Sequence, residues 1–332
     1  MLGRARRIAV ALVLGWTLAS LGGLRGGAAE TQNAQFHDWL RGFRQEALAA
    51  GVGPATFDRA FADVEPIQHI VELDHAQLES KLKFHDYVAR LASPTRRAGV
   101  RAQLQENRAL LDQVGRRFGV QPRFIVALWG IETDFGQSPG DYPIIAALAT
   151  LAFEGRRAAL FRRELIAALR IVERYGVDPG RMRGSWAGAM GQSQFMPSSY
   201  LDYAVSFDGN GTPDIWTRRA DVFASIANYL ARLGWQSSES WGRYVRAPAG
   251  LPGAEIGLGA AHSLAEWRQL GVRRSDGGPL PESSLTASLL LPEGPGGPAL
   301  LVYDNFRTLL KWNNSSAFAT SVGLLADSGE SR

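Results

Sequence analysis

Apolar residues recur at helical spacing through the first third of the chain. Phe36, Trp39, Leu40 and Phe43 form one set, Phe57 and Phe61 another, and Tyr87, Val88, Leu91, Leu110, Leu111 and Val114 continue the style. This period commits the segment to helices that each bury one stripe, since a half-buried strand would alternate every second residue. No β-strand signal interrupts it. Gly51 and Gly53 break the first pattern, Pro54 opens the next helix, and Pro94 marks a further boundary.

The run Phe124 to Gly136, FIVALWGIETDFG, follows Val120-Gln121-Pro122 and reads as an apolar helix ended by Gly136 and Pro139-Gly140. On a wheel that starts at Phe124, Leu128, Ile131, Phe135 and Ile125 define an apolar stripe, and Glu132 falls inside it at about 80°. Asp134 falls at about 280°, on the far side, so the two acids are not expected to meet. A glutamate on an apolar face loses hydration of its charged form, which suits it to hold a proton as a general acid. Two other readings stand beside that one: a helix whose last turn faces solvent, or a buried structural acid paired with an arginine.

Residues 143 to 175 read as helical again, with Arg156, Arg157, Arg162 and Arg163 either solvated on a helix face or, for two of them, lining an anionic groove. The stretch Gly184 to Tyr200, GSWAGAMGQSQFMPSSY, interleaves Gly, Gln and Ser with Trp186, Met190, Phe195 and Met196. Small residues admit close backbone approach, and neutral amides and hydroxyls suit a sugar or peptide ligand. The stretch lacks the GxSxG pattern of a serine nucleophile.

Ser206 to Asp214, SFDGNGTPD, has oxygen side chains at alternate positions and glycine at the sixth, as in a calcium loop. Ser206 and Thr217 occupy the first and twelfth positions in place of acids, so an Asx-rich turn is the competing reading. The residues offered for calcium are Asp208, Asn210, Thr212 and Asp221. After a helix from Asp221 to Leu233, short runs at Tyr244-Val245, Ser284 to Leu291 and Ala299 to Tyr303 suggest a small β subdomain, and Asn305 to Leu325 returns to helix.

The 332 residues are 45% hydrophobic, enough for a real core. Arg4, Arg6 and Arg7 precede an apolar run from Ile8 to about Leu24 and then small residues, the pattern of a signal peptide cut near Ala29, with an uncut anchor as the alternative. Cleavage removes four arginines and no acid, so Lys plus Arg falls from 36 to 32 and equals the 32 acids. A neutral mature chain without a basic stripe argues against nucleic acid as a partner. Cysteine is absent, which excludes disulfides and a lipid-anchor cysteine, and periplasmic or secreted residence is expected. The five histidines show no metal-ligand spacing.

Several motifs, in order and spacing, resemble the membrane-bound lytic transglycosylase B family of lytic murein transglycosylases. They are Gly130-Ile131-Glu132-Thr133-Asp134-Phe135-Gly136, Ala187-Gly188-Ala189-Met190-Gly191 with Gln194-Phe195-Met196-Pro197-Ser198, and Phe207-Asp208-Gly209-Asn210-Gly211 through Trp216. Ser225 to Leu230 and Asn305-Phe306 with Asn313 and Ser315 extend the match. The resemblance implies an α+β, mainly helical fold, with an N-terminal helical domain (30–93), a lysozyme-like core (94–235), a small β subdomain (236–302), a C-terminal helix completing the core (303–326) and a tail (327–332). It implies Glu132 as single acid/base on the bond between N-acetylmuramic acid and N-acetylglucosamine, with Ser185, Gln194, Phe195, Tyr229, Asn313, Tyr87, Arg156 and Arg157 on the substrate. Glycan strands of peptidoglycan are the implied partner, with cell-wall synthesis or remodelling proteins beside them. No cofactor is expected for the chemistry, and structural calcium is left open. Trp312 and Phe318 depart from the family's tyrosines, and Ser206 from its aspartate.

Overall fold

The computed structural model describes residues 26–76, 82–209 and 211–330, with side chains from Gln32 onward. The signal peptide expected over residues 1–29 thus falls almost wholly outside the described residues. Two compact units divide the chain. Of the described residues, one comprises 26–76 with those of Glu132–Ile226, and the other Leu82–Ile131 with 227–330.

The first, here the loop unit, begins with the helix Gly26–Ala49, whose Phe36 and Phe43 are fully buried. Trp39 stacks on Phe43 at 5.3 Å, and Phe57 and Phe61, from and just past the helix Pro54–Ala60, complete an aromatic cluster with Phe153. Aromatic rings so arranged bury large areas and add directional contacts worth about 1 kcal/mol each. The helix Ile144–Glu154 buries every residue from Ile144 to Ala152, so it has no solvent face and lies at the centre of this unit. The helix Ala158–Tyr175 packs beside it through Phe161, Leu165, Ala168, Leu169 and Val172. Strand β1 (Tyr142–Pro143) pairs antiparallel with β2 (Arg183–Gly184), and the loop that follows β2 leads into the helix Pro197–Tyr203.

The sheet unit holds the helices Phe84–Leu91, Pro94–Glu106 and Arg108–Phe118, and Pro122–Thr133 as far as Ile131. Ser93 caps Pro94–Glu106, accepting from the Arg96 amide at 3.3 Å, and Pro94 takes the first helical position, where its missing N–H costs nothing. Beyond residue 241 come β3 (Gly242–Arg246), β4 (His262–Ser263), β5 (Arg273–Arg274), β6 (Thr286–Leu290) and β7 (Ala299–Val302), in the order β4-β6-β7-β3-β5 with every pair antiparallel. Val245, Leu264, Trp267, Val272, Leu289 and Leu301 form the core of this sheet, and the Trp267 indole donates to the Ala287 carbonyl at 2.9 Å. The three apolar runs read from the sequence are β3, β6 and β7. The two-residue strands β4 and β5 are too short to carry a period.

Two helix ends differ from the sequence reading. The helix expected to reach Gly136 stops at Thr133, and Asp134, Phe135 and Gly136 all have left-handed backbone, with φ of 50°, 60° and 82°. The expected single helix from Asn305 to Leu325 is two, Asp304–Trp312 and Ser316–Asp327. Asn313 is extended, and the Ser315 side chain starts the second helix by accepting from the Phe318 amide at 3.2 Å. Gly323 permits the second helix to press on Trp241: a Cβ there would lie 2.2 Å from the indole.

Candidate active site

Glu132 is the penultimate residue of Pro122–Thr133 and is 9% exposed. The structure buries every residue from Phe124 to Thr133, so there is no polar face from which Glu132 has strayed. Asp134 is exposed and lies beyond the helix, which removes the wheel argument that put it on the opposite face. Between the two acids the backbone leaves the helix, turning left-handed at Asp134.

Thr133 organises that break. Its hydroxyl accepts from the Gly136 amide at 3.1 Å and donates to the Gln192 carbonyl at 3.0 Å, while its carbonyl accepts from the Ser138 amide at 2.8 Å. The second bond ties the residue next to Glu132 to the Gly/Gln/Ser loop. Non-glycine residues with positive φ are uncommon, and strain of this kind gathers at functional sites. Gln194, at φ 51°, is the third such residue in the described chain.

The loop after β2 is folded back on itself. Met190 and Phe195 exchange backbone hydrogen bonds at 2.8 and 3.2 Å, and Ser185 and Ala189 pair at 2.8 Å while the Ser185 hydroxyl accepts from the Ala189 amide at 3.0 Å. The Gln194 side chain donates to the carbonyls of Pro139 and Gly191 at 2.9 and 2.8 Å, and Gln192 donates to the Trp216 carbonyl at 2.8 Å. Glycine is required at two points. A Cβ on Gly184 would lie 1.9 Å from the Ala189 carbonyl oxygen, and one on Gly191, at φ 59°, would lie 2.6 Å from that of Ile215. Phe195 is 2% exposed.

Arg156 and Arg157 converge on Asp74, which is 1% exposed. Arg156 donates through Nε to the carboxylate at 2.9 Å and through Nη2 to the Asp74 carbonyl at 2.9 Å, and Arg157 takes the other carboxylate oxygen. Arg162 instead pairs with Glu46 at 2.6 Å and covers the rings of Trp39 and Phe43.

In the sheet unit, Tyr229 is 4% exposed, its hydroxyl donates to the Lys311 carbonyl at 3.2 Å, and its ring meets Trp312 at 4.5 Å. Asn313 follows Trp312 and is 6% exposed; its side-chain oxygen has no hydrogen-bond partner among the described residues. Tyr87 is half-buried on the helix Phe84–Leu91. Phe318 is 2% exposed and serves the core. Sequence reasoning gathered Tyr229 and Asn313 only through the resemblance, and it missed Thr133, Gln192 and Arg218 as the groups that fix the loops. A threonine before a glycine at a helix end was the available signal for the first.

Among the described residues of the loop Ser206 to Thr217 and Asp221, the acidic side chains offered for calcium are already engaged by groups of the protein. Asp221 spends one carboxylate oxygen on the Phe207 amide and the other on the Asp214 amide, both at 2.9 Å. Asp208 is paired with Arg218, and the Thr212 hydroxyl donates to the Tyr175 carbonyl at 3.3 Å. Asp214 accepts from the amides of Trp216 and Thr217 at 2.9 Å and from the Thr217 hydroxyl. Among the described residues no group of three or more His, Asp or Glu side chains is disposed to hold a metal. Asn210, offered as a further ligand, lies outside the described residues.

A buried glutamate at a helix end, its neighbour Thr133 bonded to a glycine- and glutamine-rich loop, on a mainly helical α+β scaffold, defines the class of protein. Residues 35–327 match the transglycosylase SLT domain, and the chain belongs to that family. Over 213 residues it is 35% identical to the membrane-bound lytic murein transglycosylase B of Escherichia coli K12, an alignment that covers 64% of this chain and 58% of the relative. The chain thus spans less than two thirds of that curated relative. The solved structure of SltB3 from Pseudomonas aeruginosa in complex with NAG-NAM-pentapeptide is 46% identical, with a TM-score of 0.85, covering 89% of this chain and 79% of that one. The Escherichia coli lytic transglycosylase Slt35 in complex with calcium is 28% identical, with a TM-score of 0.73 and coverage of 90% and 93%. These structures bear out the expected mainly helical, lysozyme-like α+β fold.

Proposed function

We propose that the chain is a lytic murein transglycosylase that cleaves the β-1,4 bond between N-acetylmuramic acid and N-acetylglucosamine in peptidoglycan. The observation that carries this reading is Glu132, a carboxyl 9% exposed at the end of an apolar helix whose next residue is bonded to the Gly/Gln/Ser loop. The relative SltB3 was solved with a NAG-NAM-pentapeptide, which supports the same substrate class here. Protonated Glu132 donates to the glycosidic oxygen as the bond to the muramic C1 breaks, and the muramic 2-acetamido group stabilises the cationic carbon in place of a second carboxylate. The glutamate then takes the proton of the muramic 6-hydroxyl, whose oxygen bonds to C1. The product is a 1,6-anhydro end, and no water is consumed.

Ser185, Gln194, Phe195, Tyr229, Asn313 and Tyr87 hold the glycan in this reading, with Arg156 and Arg157 for an anionic part of it. No cofactor takes part in these steps. The chain works in the periplasm after export, on glycan strands and beside other cell-wall proteins. Among the described residues no helix is long and apolar enough to cross a membrane. Mass spectrometry of products from purified sacculi tests the reaction: ends lighter by one water than hydrolysis products are expected, and reducing ends would replace transglycosylation with hydrolysis. Glu132→Gln is expected to lower turnover about 100- to 10,000-fold with the fold intact, measured as soluble product released per unit time. Near wild-type release would remove Glu132 from the chemistry.

A further inference from the structure

The loop Ser206 to Thr217 keeps the glycine and oxygen spacing of a calcium loop, but the chain closes it with a cation of its own. Arg218 reaches Asp208 Oδ2 through Nη2 and lies 3.8 Å from Asp221 Oδ2 through Nη1. We propose that the Arg218 guanidinium takes the place of a divalent cation in this loop, so that the loop folds and stays folded without metal.

Three observations support the assignment. Asp221 is fully buried, and a buried carboxylate needs a counter-charge as well as hydrogen bonds. Its two oxygens bond the backbone at Phe207 and Asp214, and Arg218 supplies the charge. The planar guanidinium can face two carboxylates at once through separate nitrogens, which a lysine ammonium does less well. Finally, Ser206 and Thr217 stand where a calcium loop places its first and twelfth ligands, and the Thr217 hydroxyl is already given to Asp214. A calcium ion set between Asp208 and Asp221 would meet the guanidinium at close range and be repelled. The hydrogen bond to Asp208 and the charge of Asp221 both raise the Arg218 pKa, as expected of a cation held between acids.

The test is thermal melting of the full chain in about 5 mM calcium chloride and in about 5 mM EDTA, above the ~1 mM dissociation constants of weak calcium modules. Wild-type midpoints are expected to coincide. Arg218→Gln is expected to melt about 2–4 °C lower in EDTA, with Arg218→Lys recovering part of the loss. A wild-type midpoint raised several degrees by calcium, or an Arg218→Gln variant that melts with the wild type, would overturn the proposal. If the glutamine variant yields no folded protein, calorimetric titration of wild type with calcium decides: no binding heat supports the proposal and saturable binding defeats it. The readout involves no glycan and is independent of the proposed reaction.

Discussion

The helices Pro122–Thr133 and Asp304–Trp312 both stop sooner than their apolar patterns suggest, and each stops beside a residue assigned to the site. They stop in different ways. At the first, the Thr133 hydroxyl is engaged on both sides, by Gly136 and by Gln192. At the second, Asn313 is extended and buried, with a side-chain oxygen that no described group satisfies. A hydroxyl bonded on both sides fixes geometry before a ligand arrives, whereas a buried acceptor left open costs stability, which a donor on a ligand recovers. The first end suits a group that must be aimed, and the second a group that must recognise.

Removing the Thr133 hydroxyl should break that contrast most severely. Thr133→Val keeps the shape but leaves the Gln192 carbonyl and the Gly136 amide without their partner, a loss of about 1–3 kcal/mol. Glu132 is the adjacent residue, so a fall in kcat of about 10- to 100-fold with little change in KM is expected in release assays on sacculi. Thr133→Ser, which retains the hydroxyl, should restore most of the rate. Equal losses in the two variants would mean that the methyl group, and not the hydroxyl, matters.

The loop that receives the Thr133 bond can be disturbed from its other side. Gly191→Ala places a Cβ 2.6 Å from the Ile215 carbonyl oxygen at a left-handed residue. The strain and the clash together should cost about 1–3 kcal/mol, read as a midpoint lowered by several degrees in thermal melting. Activity should fall with it, by less than in Thr133→Val, since the Thr133 bond itself survives. An unchanged midpoint would show that the loop has slack which the close approach to Ile215 denies.

The same two helix ends show how much the sequence could disclose. Apolar period located the helices and the strands β3, β6 and β7, because burial writes itself into spacing. It overshot at Thr133 and Asn313 because polar side chains mark both breaks: the Thr133 hydroxyl bonds the distant Gln192 carbonyl, and the Ser315 hydroxyl starts a new helix by accepting from the Phe318 amide. Those bonds leave no periodic trace. The wheel put Glu132 on the buried side, where it is, but the single stripe it drew does not exist, since every residue from Phe124 to Thr133 is buried. A missed helix was legible in principle: Ser263-Leu264-Ala265-Glu266 is a capping box, and it starts Leu264–Gln269. The candidate ligands of the 206–217 loop were readable as oxygens, but the arginine that engages two of them lies one residue past the motif.

Asn313 offers the mildest and most discriminating change. Its side-chain oxygen is buried and bonds nothing described, so Asn313→Ala removes an acceptor whose burial is not repaid within the protein. Truncation forfeits some packing, and the two effects oppose each other, so a midpoint within about 2 °C of wild type is expected. Recognition should suffer more than stability. Loss of one neutral hydrogen bond to a glycan amide or hydroxyl is worth about 0.5–1.5 kcal/mol, which appears as a KM raised roughly two- to tenfold with kcat nearly unchanged. That split is the reverse of the one expected for Thr133→Val. A fall in kcat at constant KM would make Asn313 a positioning residue like Thr133, and the two helix ends would then be doing the same work by different means.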